Sequence, residues 1–272
     1  MVDPMLEIAK CSKEPVPYQI LITTTGPSNT CVNDFDGTSA ACPLAAGIIA
    51  LTLQANNALT WRDIQHIIVE TSVTDGLNIE FFSNGAGKKV NSYVGFGLMN
   101  AENMVDAAAS WKTVPPAISC YASSTVWKSN ILSGLITDRV DLSACKVLYT
   151  EHVTIKVNFQ SAYRGATIIN LQSPNLTEKN VLSNRDNDID ANEITWTFMT
   201  VHFWGESAAG SWIISLFDVY DVNVVNLYGW EITVYGTVTD PLEGAPSESS
   251  AMATGLTVGI IVGSVVASLI VG

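Results

Sequence analysis

Charge is scarce in this chain, and positive charge scarcest. Of 272 residues only 14% are charged, against roughly 25% in an ordinary soluble domain. Thirteen Lys and Arg face twenty-six Asp and Glu, a net charge of −13. Such a field repels phosphate backbones, and the basic residues form no cluster to override it, which argues against nucleic acid as a partner. Histidine is nearly absent: His66, His152 and His202 are the whole supply. Five cysteines are too few for a disulfide-dense mini-protein, and their odd number leaves at least one unpaired within the chain. The first twenty residues, MVDPMLEIAKCSKEPVPYQI, lack a basic start followed by a continuous apolar stretch, so they are not a signal peptide.

What the chain does have is an apolar end. Ala251 to Gly272 carries no charge, and as a helix rising 1.5 Å per residue it would span a bilayer core of about 30 Å. Gly255, Gly259 and Gly263 are spaced for close helix–helix approach in lipid. The expectation is a transmembrane segment over 251–272, with a glycolipid anchor attached near Ser249-Ser250-Ala251 as the alternative. A membrane anchor without an entry signal points to an N-terminal part lying outside this sequence; tail-anchored insertion is the other route.

Residues 37–112 read as helices joined by glycine-rich loops. Leu44 to Gln54 is apolar nearly all round, as in a helix buried inside a larger domain. Thr60-Trp61-Arg62-Asp63 fits a capping box, followed by Ile64, Ile67, Ile68 and Thr71 on one helical face. A third short helix is expected from about Asn100 to Trp111, and Pro115-Pro116 marks a boundary. Beyond it the period falls to two. His152, Thr154, Lys156 and Asn158 alternate with Val153, Ile155, Val157 and Phe159, a half-buried strand. Further strands are expected at 166–171, 196–203, 211–217 and 229–238, which together argue for an antiparallel sandwich or barrel.

One stretch carries chemistry: Gly37-Thr38-Ser39-Ala40-Ala41-Cys42-Pro43-Leu44-Ala45-Ala46-Gly47. A serine follows a glycine turn and opens a helix, with Pro43 expected in the first turn, where its missing N–H is tolerated. Backbone N–H groups and the positive dipole end converge there, suiting a nucleophile that must stabilise an oxyanion. Read without its neighbours, such a serine is a plain helix cap. Two other motifs are incomplete. Asp186-Asn187-Asp188-Ile189-Asp190 begins like a calcium loop, but Ala191 stands where Gly is required and Thr197 where the bidentate Glu should fall. Gly85-Ala86-Gly87-Lys88 lacks the following Ser/Thr and the earlier glycine of a phosphate loop. Asn175-Leu176-Thr177 is the one glycosylation sequon, on an expected surface loop.

The run GTSAACPLAAGIIALTLQANNALTWRDIQHIIVETS resembles the active-serine helix and the following helix of kexin/furin-type subtilisin-like proprotein convertases. The likeness continues through Asn84 to Val90, Tyr93 to Leu98, Glu151-His152-Val153, Tyr163-Arg164-Gly165, Trp196 to Val201, Gly210-Ser211-Trp212 and Tyr235-Gly236-Thr237. The fold class it implies is a subtilisin-like α/β catalytic-domain fragment over 1–112, an all-β jelly-roll-like P (homo-B) domain over 113–237, a stem over 238–250 and the membrane segment over 251–272. The resemblance makes Ser39 the counterpart of the nucleophile of an endopeptidase that cuts secretory precursors after paired basic residues. It implies a Cys120–Cys145 disulfide, and a Cys31 whose partner lies upstream. Cys42 is expected to be small and buried. The family's acid, histidine base, oxyanion asparagine and calcium ligands all precede the serine, and only 38 residues do so here, with no histidine among them. The expectation is thus no cofactor or metal bound by this chain, and no catalysis by it alone. The implied setting is the Golgi membrane, single-pass, with lumenal domains. The rival reading is a non-catalytic membrane-tethered module that binds partners through its β domain, or an inactive truncated paralogue. Arg164-Gly165-Ala166 stands where many members have Arg-Gly-Asp, so no integrin-type role follows.

Overall fold

The computed structural model describes residues 21–25, 30–35, 37–125, 127–130 and 134–243; the expected membrane segment and most of the stem lie outside the described residues. An antiparallel pair, β1 (Leu21–Thr25) and β2 (Thr30–Phe35), leads into the helices α1 (Thr38–Ala55), α2 (Trp61–Thr71) and α3 (Ala101–Ala109). A short hairpin, β3 (Phe82–Ser83) with β4 (Lys89–Val90), sits between α2 and α3. The capping box forms: the Asp63 N–H donates to Thr60 Oγ1 at 3.2 Å, and the Thr60 N–H donates to Asp63 Oδ2 at 2.7 Å. Asn100 caps α3 through the Asn103 N–H at 3.0 Å.

The isoleucine face expected of α2 forms, and burial extends beyond it to all seven residues from Asp63 to Val69. Packing on two sides explains this. Ile64, Ile67 and Ile68 meet Met104 and Ala108 of α3, while Val69 joins Val90, Phe96, Val201 and Trp204 in a separate cluster. The expected burial of Leu44–Gln54 is not found. Leu44 is 43% exposed and Leu51 51%, because among the described residues only one flank of α1 is covered, with Ile48 and Ile49 packed on the helix cluster.

The second half is a β-sandwich. One sheet runs in the order β10 (Glu178–Leu182), β9 (Thr167–Gln172), β12 (Ser211–Asp218) and β7 (Ile136–Asp141). The other runs β11 (Ile194–Thr200), β8 (Tyr149–Ser161), β13 (Val225–Thr237) and β5 (Ile118–Ser124), with β6 (Lys128–Ser129) also paired to β13. The predicted alternation on β8 holds: Val153, Ile155, Val157 and Phe159 are all at most 2% exposed. They face a single core containing Trp212, Trp230, Phe203 and Ile214. Both of these core indoles have a partner for their N–H, as buried donors require: Trp212 Nε1 donates to the Ala208 carbonyl and Trp230 Nε1 to Asp138 Oδ2, both at 2.9 Å. At Gly236 a Cβ would lie 2.0 Å from the Tyr149 carbonyl oxygen, so β13 can pair this closely with β8 there only as glycine. The strand expected over 196–203 ends at Thr200. Val201 to Trp204 turn instead, the Trp204 N–H donating to the Val201 carbonyl. A short apolar run does not by itself separate strand from buried turn.

Candidate active site

Gly37 precedes α1 at φ 84°, a backbone that an L side chain rarely adopts. The turn places Ser39 as the second residue of the helix, and it is exposed. The N–H groups of Ala40 and Ala41 close onto the Gly37 carbonyl at 3.1 and 3.2 Å. Pro43 is the sixth residue of α1, not part of its first turn as expected. Its missing N–H leaves the Ser39 carbonyl without the donor that an i+4 residue supplies. Cys42 is also exposed, against expectation, on the uncovered part of the same helix. The histidines are engaged elsewhere. His66 bonds Glu151, His152 stacks on Tyr235 at 4.4 Å, and His202 stacks on Phe82 at 5.7 Å and meets Thr200.

Behind the serine helix, α2 is fastened to the sandwich by a buried polar network. Glu151, the third residue of β8, is 2% exposed. It accepts a bidentate pair from Arg62, with Nε at 3.0 Å to Oε2, and its Oε1 lies 2.9 Å from His66 Nε2. Burial pushes the Glu151 carboxyl up, but hydrogen bonds from His66 and Arg62, with their charges, outweigh it and hold the group at about 2. Arg62 also donates to the Pro115 carbonyl at 2.8 Å. Asp63 accepts from Trp111 Nε1 at 3.1 Å and from the Val114 N–H at 2.8 Å. The N-terminal part of α2 therefore grips both β8 of the sandwich and the segment leading into β5. His66 completes the joint with an edge contact to Trp204 at 4.7 Å.

A second joint lies at the β3–β4 hairpin. Asn84 is buried and uses both ends of its amide: Nδ2 donates to the carbonyls of His202 and Trp204, and Oδ1 accepts from the Ala86 and Lys88 N–H groups. The Gly85 N–H donates to Glu206 Oε1 at 2.9 Å and to Thr177 Oγ1 at 2.7 Å. Thr177 in turn donates to Glu206, as does Ser173. The Gly85–Lys88 loop thus cradles a carboxyl group of its own chain, not a phosphate. A Cβ at Gly85 would fall 2.4 Å from the Asn175 Cβ, so the sequon stands directly against this hairpin. Asn175 is exposed, with Nδ2 donating to the Ser207 carbonyl at 3.4 Å.

The acidic loop has a different employment from calcium. Arg164 clamps Asp188 through Nε and an Nη, at 2.9 and 2.8 Å, and reaches Asp190 at 3.2 Å; Arg185 adds a third bond to Asp188 at 3.0 Å. The Arg164 hydrogen bond is the main reason the Asp188 carboxyl sits at about 2. Among the described residues no group of three or more His, Cys, Asp or Glu could hold a metal ion. Cys120 and Cys145 are joined in a disulfide across the start of the sandwich. The joint roles of Glu151, Arg62, Asn84 and Glu206 are not legible from sequence, although Glu151 and Asn84 fall in segments that carry the family resemblance and Arg62 in the capping box.

Comparison with known proteins bears on the whole arrangement. Residues 11–97 match the subtilase family model and residues 150–234 the proprotein convertase P-domain model. Proprotein convertase subtilisin/kexin type 5 of Rattus norvegicus is 38% identical over 239 residues, covering 82% of this chain and 13% of that protein. Furin of Mus musculus is 38% identical over 244 residues, covering 86% of this chain and 30% of that protein. The chain thus spans less than a third of the length of these relatives. Among solved structures, the serine protease of Aeromonas sobria aligns with a TM-score of 0.64 at 19% identity, over 77% of this chain and 46% of that one, a likeness of fold. With a subtilase segment and a convertase P domain on one chain, in that order and packed through a shared buried network, the chain belongs to the kexin/furin-type subtilisin-like proprotein convertases.

Proposed function

We propose that this chain is the C-terminal portion of a serine endopeptidase that cleaves secretory precursors after paired basic residues. The observation that carries the reading is Ser39, exposed in the first turn of α1 behind a left-handed Gly37. In that role Ser39 Oγ attacks the scissile carbonyl and forms an acyl-enzyme, which water then hydrolyses. The Ser39 N–H is the first-turn donor proposed for the oxyanion, since those of Ala40 and Ala41 donate to the Gly37 carbonyl. A serine hydroxyl is a weak nucleophile without a base to take its proton, and none of the three histidines is placed for that task. The histidine, its aspartate and the oxyanion asparagine come from a segment outside these 272 residues. The same segment covers the exposed leucines of α1. The P domain holds α2 through the Glu151 joint and the β3–β4 hairpin through the Glu206 joint, while α1 rests on the helix cluster through Ile48 and Ile49. Calcium, which the family resemblance implies, is not assigned to the acidic loop, where Asp188 and Asp190 are paired with arginines and Asp186 accepts from Asn184 and Tyr220.

Further parts of the reading are a lumenal location in the secretory pathway, a membrane anchor over 251–272, and a glycan on Asn175. The test is the size of the endogenous product, deglycosylated and detected with an antibody against the sandwich. A band far above 29.2 kDa carrying peptidase activity that is lost in Ser39→Ala supports the protease. A product at 29.2 kDa overturns it and leaves a membrane-tethered binding module.

A further inference from the structure

Thr177 occupies two roles that exclude one another in time. As the third residue of Asn175-Leu176-Thr177 it supplies the hydroxyl through which an N-glycosylation acceptor is read. In the fold that hydroxyl is spent: it donates to Glu206 and accepts from the Gly85 N–H, and the residue is only 8% exposed. The sequon is also bent. The Ser173 N–H donates to the Thr177 carbonyl at 2.9 Å and the Leu176 N–H to the Ser173 carbonyl at 3.0 Å, with Leu176 at φ 66°. A transferase meeting the finished protein would find Asn175 exposed but its reading group sealed in the interdomain joint.

We propose that Asn175 is a glycosylation site open only during synthesis, closed for good once the sandwich docks on the β3–β4 hairpin. The inference rests on the lumenal reading above. Chain order supplies the interval. Gly85 is made 92 residues before Thr177, whereas Glu206 follows it by 29 residues. At about 5–20 residues per second, Glu206 emerges about 1.5 to 6 s after the sequon is complete. In that interval Asn175 Nδ2 bonds to the anomeric carbon of an oligosaccharide and gives up one proton, which ends in solvent water. The bond from that carbon to the pyrophosphate of a polyisoprenyl carrier breaks, and the carrier pyrophosphate leaves with the electron pair. Nδ2 keeps one N–H, enough to retain its bond to the Ser207 carbonyl. The sugar then stands on the rim of the joint, beside Gly85, without entering it.

The experiment follows the full-length protein in secretory cells by pulse and chase, comparing wild type with Asn175→Gln after enzymatic removal of N-glycans. Thiol alkylation scores closure of Cys120–Cys145 in the same samples. We expect an Asn175-dependent mobility shift that is complete at the end of the pulse. When the lipid-linked donor is depleted during the pulse and restored in the chase, disulfide-closed chains stay unmodified. Disulfide-closed chains that gain the glycan during the chase would overturn the closing of the site. Disulfide-closed chains never modified at Asn175 would overturn the site itself and leave the lumenal reading standing. Chains with neither disulfide nor glycan overturn that reading, and the inference with it.

Discussion

The sandwich and the helical segment hold themselves together in opposite ways. Residues 118–237 close around one continuous core, with both inner sheet faces and two fully partnered tryptophans contributing. Residues 37–112 have only a small cluster of their own, and the second apolar cluster they share is completed by Val201 and Trp204 of the sandwich. Seven successive buried residues on α2 leave that helix with no solvent face over two turns. Its stability is therefore borrowed, partly from α3 and partly from a neighbouring domain, and the loan runs through charged groups. Buried charges hold a partner strongly only while every member of the group is present.

Removing the source of the loan should have the largest effect. Trp212→Ala empties the centre of the sandwich, costs about 3 to 5 kcal/mol, and should abolish the melting transition of both halves together in calorimetry. Next is Glu151→Gln, which leaves Arg62 and His66 facing an uncharged amide at a cost of about 3 kcal/mol. Here the comparison sharpens: amide exchange in α2 should accelerate while β8 and β13 stay protected. Loss of protection in both would show that the sandwich depends on the helices too. Asp63→Ala removes a capping box and two anchors on residues 111–114, costing about 1 to 2 kcal/mol, visible as a lowered melting midpoint with an intact sandwich.

Acid should reproduce the Glu151 result without mutation. Glu151 falls from an ordinary 4.5 to about 2 in the fold. Its stabilisation is present in full above the higher value and lost as pH falls from about 4.5 toward 2. Exchange from α2 should rise across that range before the sandwich unfolds, and Glu151→Gln should flatten the rise. The smallest effect is expected of Arg164→Ala. It frees the acidic loop at about 0.5 kcal/mol, detectable as sharpened, mobile backbone resonances over 184–191 with little change in the melt.

What the sequence reveals on its own follows from distance along the chain. The capping box at Thr60 and Asp63 is legible because its partners are three residues apart, and the β8 alternation because each residue carries its own side of the pattern. The serine segment is legible through its resemblance to a family. The joints are not. His66 and Glu151 are 85 residues apart, and Gly85 and Glu206 121. Nothing local distinguishes Glu151 from any acidic residue at the start of a strand. The same cause explains two misreadings. Cys42 and Leu44 to Gln54 look buried because their composition is that of a core helix, and composition does not say which partner does the covering.

Asp63 has a consequence for what a cut in the chain would do. Its Oδ1 holds Trp111 on one side and Val114 on the other, and between them Lys112 and Thr113 lie exposed, open to a trypsin-like protease. Cleavage after Lys112 would produce two new ends already tethered to the same carboxylate. The Arg62–Glu151 and Gly85–Glu206 contacts would still bridge the fragments. The peptide bond at that point is mechanically redundant: a nicked chain should run as two bands under denaturing conditions and as one particle without them.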